Sequence, residues 1–153
     1  MDSAMNAFDY ISVTHNDGIA TITLDRPDVR NAINDDMRAE LISAFTAADT
    51  DKSVRAIILT GAGKGFCSGG DIGGMRARLD APSGEVAFNG WKRQKSTHKG
   101  VAAIHGVSKP VIAAVNGAAF GLGLDMALSC DFIIAAEGAK MSMSFIKRGL
   151  VSD

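Results

Sequence analysis

Residues 111–125 read Val-Ile-Ala-Ala-Val-Asn-Gly-Ala-Ala-Phe-Gly-Leu-Gly-Leu-Asp, and their types and spacing suit the chemistry of negative charge. The apolar, β-branched run 111–115 has the length of a buried strand. Asn116-Gly117 breaks it, and Gly121-Leu122-Gly123 leads into helix-forming residues 124–128. The first turn of a helix leaves backbone N–H groups without intrahelical partners, and the helix dipole there favours an anion. Small residues let a ligand approach that backbone closely. The stretch reads as an anion or oxyanion site near residues 121–123, with a carboxylate, Asp125, one turn in. A second reading fits the same residues: a glycine-rich junction that only packs a strand against a helix.

A second junction repeats the pattern. Residues 54–60 form another apolar strand candidate, and Gly61-Ala62-Gly63-Lys64-Gly65-Phe66-Cys67-Ser68-Gly69-Gly70-Asp71-Ile72 follows it into a helix start. Two such junctions can aim two N–H groups at one carbonyl oxygen, the arrangement that stabilises an enolate or a tetrahedral oxyanion. Competing motifs fail here. A phosphate-binding P-loop needs Ser or Thr after its lysine, but Gly65 follows Lys64. A dinucleotide fingerprint, or a hydrolase elbow around Ser68, needs glycine where Phe66 stands. Cys67 has no base near it in sequence and reads as a small packing residue. Asp71 reads either as a catalytic carboxylate or as a cap for the following helix.

The elements that must position these junctions follow from periodicity. Residues 10–15 and 19–24 alternate apolar and polar around Asp17-Gly18, a hairpin signal. Asn34 or Asp35 caps a helix in which Met37, Leu41, Ile42, Phe45 and Ala48 recur at helical spacing, ending near residues 49–51. Residues 85–104 read as a basic helix interrupted near Gly100, with Met75, Phe88 and Trp91 as pocket-lining candidates. Residues 132–135 give another strand, and 139–144 a short one. Strand, strand and helix recurring in this way indicate an α/β fold of stacked ββα units.

With 153 residues, 46% hydrophobic and 22% charged, and a net charge of −1, the composition is that of one soluble globular domain over residues 1–153. Nothing in it points to nucleic acid, a membrane span or a secretory signal. Cys67 and Cys130 make no metal pattern and read as free thiols in a reducing, cytoplasmic setting.

Several separated segments together resemble the crotonase family of enoyl-CoA hydratases and isomerases. They are Leu24-Asp25-Arg26-Pro27 with Asn31-Ala32-Ile33, then residues 65–72, then Lys109 to Gly117, then Cys130-Asp131. The resemblance runs from about Tyr10 to the last residue and covers the N-terminal half or so of a typical member, so the crotonase-like spiral is expected to lack its C-terminal helical part.

The resemblance implies an acyl-CoA substrate, no cofactor beyond the coenzyme A of that substrate, no metal, and a homotrimer or hexamer for a full-length protein. It implies an oxyanion hole from the backbone N–H groups of Gly70 and Leu122. It places Arg26, Asn31, Ala32, Ser68, Gly69, Asp71, Ile72, Gly121 and Phe145 on the substrate side. Hydratases of the family use two carboxylates. The first position matches Asp125, and the second matches Phe145, which cannot transfer a proton. Gly149-Leu150-Val151-Ser152-Asp153 resembles a variant in which the last carboxylate is the acid/base, often for double-bond isomerisation. Asp153 and Asp125 are thus the expected catalytic residues. The alternative is a non-catalytic or incomplete relative that binds CoA or a partner chain.

Overall fold

The computed structural model describes residues 8–82 and 84–149. The hairpin forms as its alternation requires. Strands β1 (Ile11–Asn16) and β2 (Ile19–Leu24) pair antiparallel, with Ile11 opposite Leu24 and Asn16 opposite Ile19. Asp17 (φ 45°) and Gly18 (φ 76°) supply the left-handed backbone of the two-residue turn. Ala20, Ile22 and Leu24 turn into the core.

Helix α1 (Asp35–Thr50) starts where the capping residue predicts. The Asn34 side chain accepts a hydrogen bond from the Met37 amide at 2.8 Å, and Asp35 and Asp36 lie in the first turn, where the dipole favours them. Its apolar face buries Met37, Leu41, Ala44, Phe45 and Ala48. Each large side chain removed from water there contributes about 1.5–3 kcal/mol.

From this point the chain repeats one unit. Strand β3 (Ala56–Gly61) is followed by β4 (Gly65–Cys67) and helices α2 (Ile72–Leu79) and α3 (Val86–His105). Strand β5 (Val111–Val115) is followed by β6 (Ala118–Phe120) and α4 (Leu122–Leu128). Strand β7 (Phe132–Ala135) is followed by β8 (Met141–Ser142) and a 3-10 turn at Ser144–Arg148. The first strand of each unit joins a five-stranded sheet of order β1-β2-β3-β5-β7, and the second joins a three-stranded sheet β4-β6-β8. Apart from the hairpin, all pairings are parallel. Successive units therefore stack as turns of a spiral, which is the expected α/β architecture of repeated ββα units.

Two expectations need correction. Residues 65–67 and 118–120 are strands, not parts of glycine loops. With three residues each, and mostly Gly, Ala and Cys, they carry no readable period; pairing between turns makes them strands (Gly65 with Ala118, Ala119 with Met141). The expected break near Gly100 does not occur, and α3 runs unbroken. Gly100 serves the packing of α3 on α1 instead: a Cβ there would stand 2.9 Å from Arg38 Cγ.

Strand β7 lies at the edge of the larger sheet with every residue exposed, Phe132 at 63% and Ile134 at 67%. Among the described residues, no helix is long and apolar enough to cross a membrane.

Candidate active site

The two glycine junctions meet. The segment after β4 pairs with the backbone of Ile33: the Ile33 amide donates to Gly69 O at 2.8 Å, and the Asp71 amide donates to Ile33 O at 3.0 Å. In such a bridge the N–H of the intervening residue, Gly70, points to the opposite side. Gly69 adopts φ 103°, and a Cβ on it would stand 2.8 Å from Phe120 O and 3.6 Å from the Leu122 nitrogen. The strand carrying Gly70 is thus pressed against the head of α4.

At that head, Gly121 holds φ 51° and ψ −126°, a conformation open to glycine and closed to most other residues. Its amide donates to Ser142 O at 2.9 Å, and its carbonyl accepts from Leu124 and Asp125. Leu122 is the first residue of α4, so its N–H has no intrahelical acceptor. Among the described hydrogen bonds, neither the Gly70 nor the Leu122 amide is a donor. Two backbone amides at two adjoining junctions are the elements that can polarise a carbonyl oxygen.

One contact fixes the spacing between these junctions. Gly123 lies directly on Cys67, and a Cβ on Gly123 would come within 2.7 Å of Cys67 Cβ and closer still to the Cys67 carbonyl oxygen. Cys67 is fully buried and its thiol sits against Asn31 O at 3.1 Å. Burial pushes that thiol up to about 12, which suits packing and not nucleophilic attack.

The remaining residues expected at the site fall into three groups. Asn31 (φ 56°) is fully buried. Its carboxamide donates to Ala62 O, Gly65 O and Phe66 O at 2.9, 3.0 and 3.1 Å and accepts from the Arg26 amide at 2.9 Å. Together with Asn116, which donates to Gly61 O and Gly63 O, it holds the glycine loop in shape. The Arg26 guanidinium donates to Ala32 O at 2.5 Å and to Asp71 at 3.0 Å, and stacks over the Tyr10 ring at 5.5 Å. Asp71 also receives the Gly73 and Gly74 amides, so it caps α2. Burial raises the Asp71 carboxyl, but the hydrogen bond from Arg26, the two amides and the Arg26 charge outweigh that and hold it below its usual 3.8.

In the second group, Ser68 and Ile72 are exposed beside the junction, and the Ser68 hydroxyl faces Val29 O at 3.4 Å. Phe145, on the 3-10 turn, places its ring 3.7 Å from where a Gly121 Cβ would stand, over the head of α4. Asp125 is 6% exposed, in the first turn of α4, where the dipole favours a carboxylate. In the third group, Asp153 lies outside the described residues.

Of the pocket-lining candidates, Met75 stands over Gly70, its Cε 2.7 Å from the position of a Gly70 Cβ. Phe88 and Trp91 stack on each other at 5.9 Å on the exposed side of α3, each beneath a lysine (Lys92 and Lys95). Sequence reasoning missed Arg93. Its Nη2 stands 3.2 Å from the Gly70 Cβ position, next to Met75. In sequence it is one of several bases on a helix, and nothing there singles it out.

The protein-family model for enoyl-CoA hydratase/isomerase matches residues 14–153. The chain belongs to this family. A curated relative, 1,2-epoxyphenylacetyl-CoA isomerase of Escherichia coli, is 40% identical over 136 residues, covering 89% of this chain and 51% of its own length. An enoyl-CoA hydratase of Alternaria alternata is 39% identical and covers 97% of this chain and 51% of its own. The crystal structure of an enoyl-CoA hydratase from a Polaromonas species superposes with a TM-score of 0.82 at 36% identity, over 94% of this chain and 54% of that one. The chain thus has the crotonase fold and spans about half the length of the curated relatives it matches.

Proposed function

We propose that this chain activates an acyl-CoA thioester. The N–H groups of Gly70 and Leu122 accept the negative charge that develops on the thioester oxygen. The supporting observation is the approach of the Gly69-Gly70 segment to the head of α4, with the Gly70 amide turned away from its Ile33 bridge. One well-placed donor of this kind is worth about 3 kcal/mol in a transition state.

On this reading Asp153 removes the Cα proton of a 3-enoyl-CoA, the oxyanion hole holds the dienolate, and the same carboxyl returns the proton at Cγ to give the conjugated 2-enoyl-CoA. Asp125 is the second acid/base group, and Phe145 fills the position where a hydratase carries its other carboxylate. Such a group contributes about 10²–10⁴-fold. No cofactor beyond the coenzyme A of the substrate takes part. A homotrimer or hexamer and a cytoplasmic, reducing setting belong to the same proposal.

One observation favours a second reading, a chain that binds CoA or a partner without catalysis. The faces of β7 present Phe132, Ile133 and Ile134 to solvent, an apolar surface of the kind that further polypeptide covers.

Turnover of a 3-enoyl-CoA and of crotonyl-CoA, with Asp153→Asn and Asp125→Asn alongside, separates the readings. Isomerisation that falls at least 100-fold in Asp153→Asn supports the first. Hydration of crotonyl-CoA that survives Asp153→Asn but not Asp125→Asn overturns the isomerase assignment. Binding of both thioesters without turnover leaves the second reading standing.

A further inference from the structure

We infer that the outer face of α3 docks this protein on an anionic phospholipid surface, with Phe88 and Trp91 entering the headgroup layer and Lys92, Lys95 and Lys99 meeting the headgroup anions. The inference goes beyond the acyl-CoA reading and does not depend on it. At about 100° per residue, these five side chains fall within an arc of about 100° around α3. The opposite side of the helix is the one that packs: Thr97 and Ile104 are buried there, and Gly100 lies against the Arg38 stem of α1. All five residues of the outer stripe are exposed, Phe88 at 52% and Trp91 at 54%.

The stripe carries three positive charges and no negative one. The 20-residue helix α3 contains no carboxylate, and the nearest before it in the chain is Glu85, at its N-cap. Among the described residues, none of the three lysines belongs to an ion pair. The whole chain has a net charge of −1, so this is a local concentration of positive charge and not a consequence of composition.

The rings complete the match to lipid. Phe88 and Trp91 lie 5.9 Å apart with 23° between their planes, so two large apolar side chains form one exposed patch. Aromatic rings favour the boundary between water and lipid, and lysines lay their stems along apolar surface while the ammonium reaches the headgroups. Lys92 Nζ, 5.0 Å from the centre of the Phe88 ring, and Lys95 Nζ, 4.6 Å from that of Trp91, already hold that arrangement. A single-stranded nucleic acid also presents anions, but it binds aromatic patches by stacking bases on ring faces. Here each ring has a lysine over a face and the other ring beside it, which favours lipid.

Trp91 is the only tryptophan of the chain, so its emission reports on this face alone. Emission and co-sedimentation are measured with vesicles of phosphatidylcholine, alone and with about one third phosphatidylserine, which supplies the negative surface potential. The wild-type chain is compared with the triple variant Lys92→Gln, Lys95→Gln, Lys99→Gln. The wild type is expected to sediment with the anionic vesicles, with its emission shifted to the blue, and to bind the neutral ones more weakly. Each lysine beside an anionic surface is worth about fivefold in affinity, so the triple variant is expected to bind about 100-fold more weakly. Rising salt should weaken the wild type in the same direction, and it decides the matter if the variant does not fold. No binding to anionic vesicles, undiminished binding by the triple variant, or binding that ignores salt overturns the inference. Sedimentation without a shift of Trp91 emission places the contact elsewhere, as at the exposed β7 edge, and overturns it too. A blue shift on concentrating the protein without vesicles gives the face to a second copy, and tighter binding to a thymidine oligonucleotide than to vesicles gives it to nucleic acid; either result overturns the inference.

Discussion

Gly123→Ala tests the central geometric claim, that the packing of α4 on β4 sets the distance between the two amides. The new methyl would stand 2.7 Å from Cys67 Cβ and 2.9 Å from the Cys67 carbonyl carbon. Ordinary carbon–carbon contacts begin at about 3.5 Å, so the head of α4 must retreat by about 0.8 Å. Neither side gives easily, because the closest neighbours are backbone and a fully buried side chain. Overpacking of this kind costs about 1–3 kcal/mol, which lowers Tm by about 2–12 °C in a chain of this size.

The retreat also carries the Leu122 amide away from Gly70. Complete loss of one oxyanion donor costs about 10²–10³ in rate, so a partial displacement is expected to cost about 10- to 100-fold in turnover of an enoyl-CoA. Urea unfolding gives the stability change, and steady-state kinetics below the melting range gives the rate. Gly90→Ala is the control: a Cβ there meets nothing within 4 Å, and the helix gains about 0.5–1 kcal/mol. A Gly123→Ala protein with wild-type stability and unchanged turnover would refute the argument that this contact spaces the site. A stability loss with unchanged turnover would refute the assignment of the Leu122 amide alone.

Asn31→Ala should destabilise the fold by about 2–4 kcal/mol in urea unfolding. It strips three carbonyls and the Arg26 amide of their partner and puts alanine at φ 56°; a change below about 1 kcal/mol would contradict the bracing role of this side chain. Arg26→Met should cost the most stability above the acid range, while the loss of the hydrogen bond to Ala32 O and of the Tyr10 contact remains at every pH. The Asp71 carboxyl is depressed in the folded chain, so its contribution is present above the unfolded value of 3.8 and is lost as pH falls through the lower folded value; the gap between wild-type and variant stabilities should therefore narrow as pH falls through that value. Convergence at neutral pH would show the ion pair to be idle. Cys67 and Cys130, both pushed up to about 12 chiefly by burial, should resist iodoacetamide at pH 8 in the folded chain and react after unfolding; rapid labelling of native Cys67 would contradict its packing against Asn31 and Gly123.

Much of this was legible in the sequence, because local chemistry decided it. The Asp17-Gly18 turn, the Asn34 cap, the helical spacing of Met37 to Ala48 and the β-branched run 111–115 each have one good local solution, and the structure adopts it. The two glycine junctions were visible for the same reason: a chain that needs φ near 51° at residue 121 and 103° at residue 69 calls for glycine there. The four matching segments added the family and its spiral. Only the tertiary structure decided the rest. Strands β4 and β6 exist because successive turns of the spiral stack, since three residues each, Gly-Phe-Cys and Ala-Ala-Phe, are too few to hold a period of their own. Gly100 reads as a helix breaker until the Arg38 stem is seen lying against it. Arg93 reads as one base in a basic helix until α3 folds back and sets its guanidinium beside Gly70, 23 residues away in the chain. Sequence records conformational need at one position; it does not record which distant side chain fills the space beside it, and here that space adjoins the proposed reacting group.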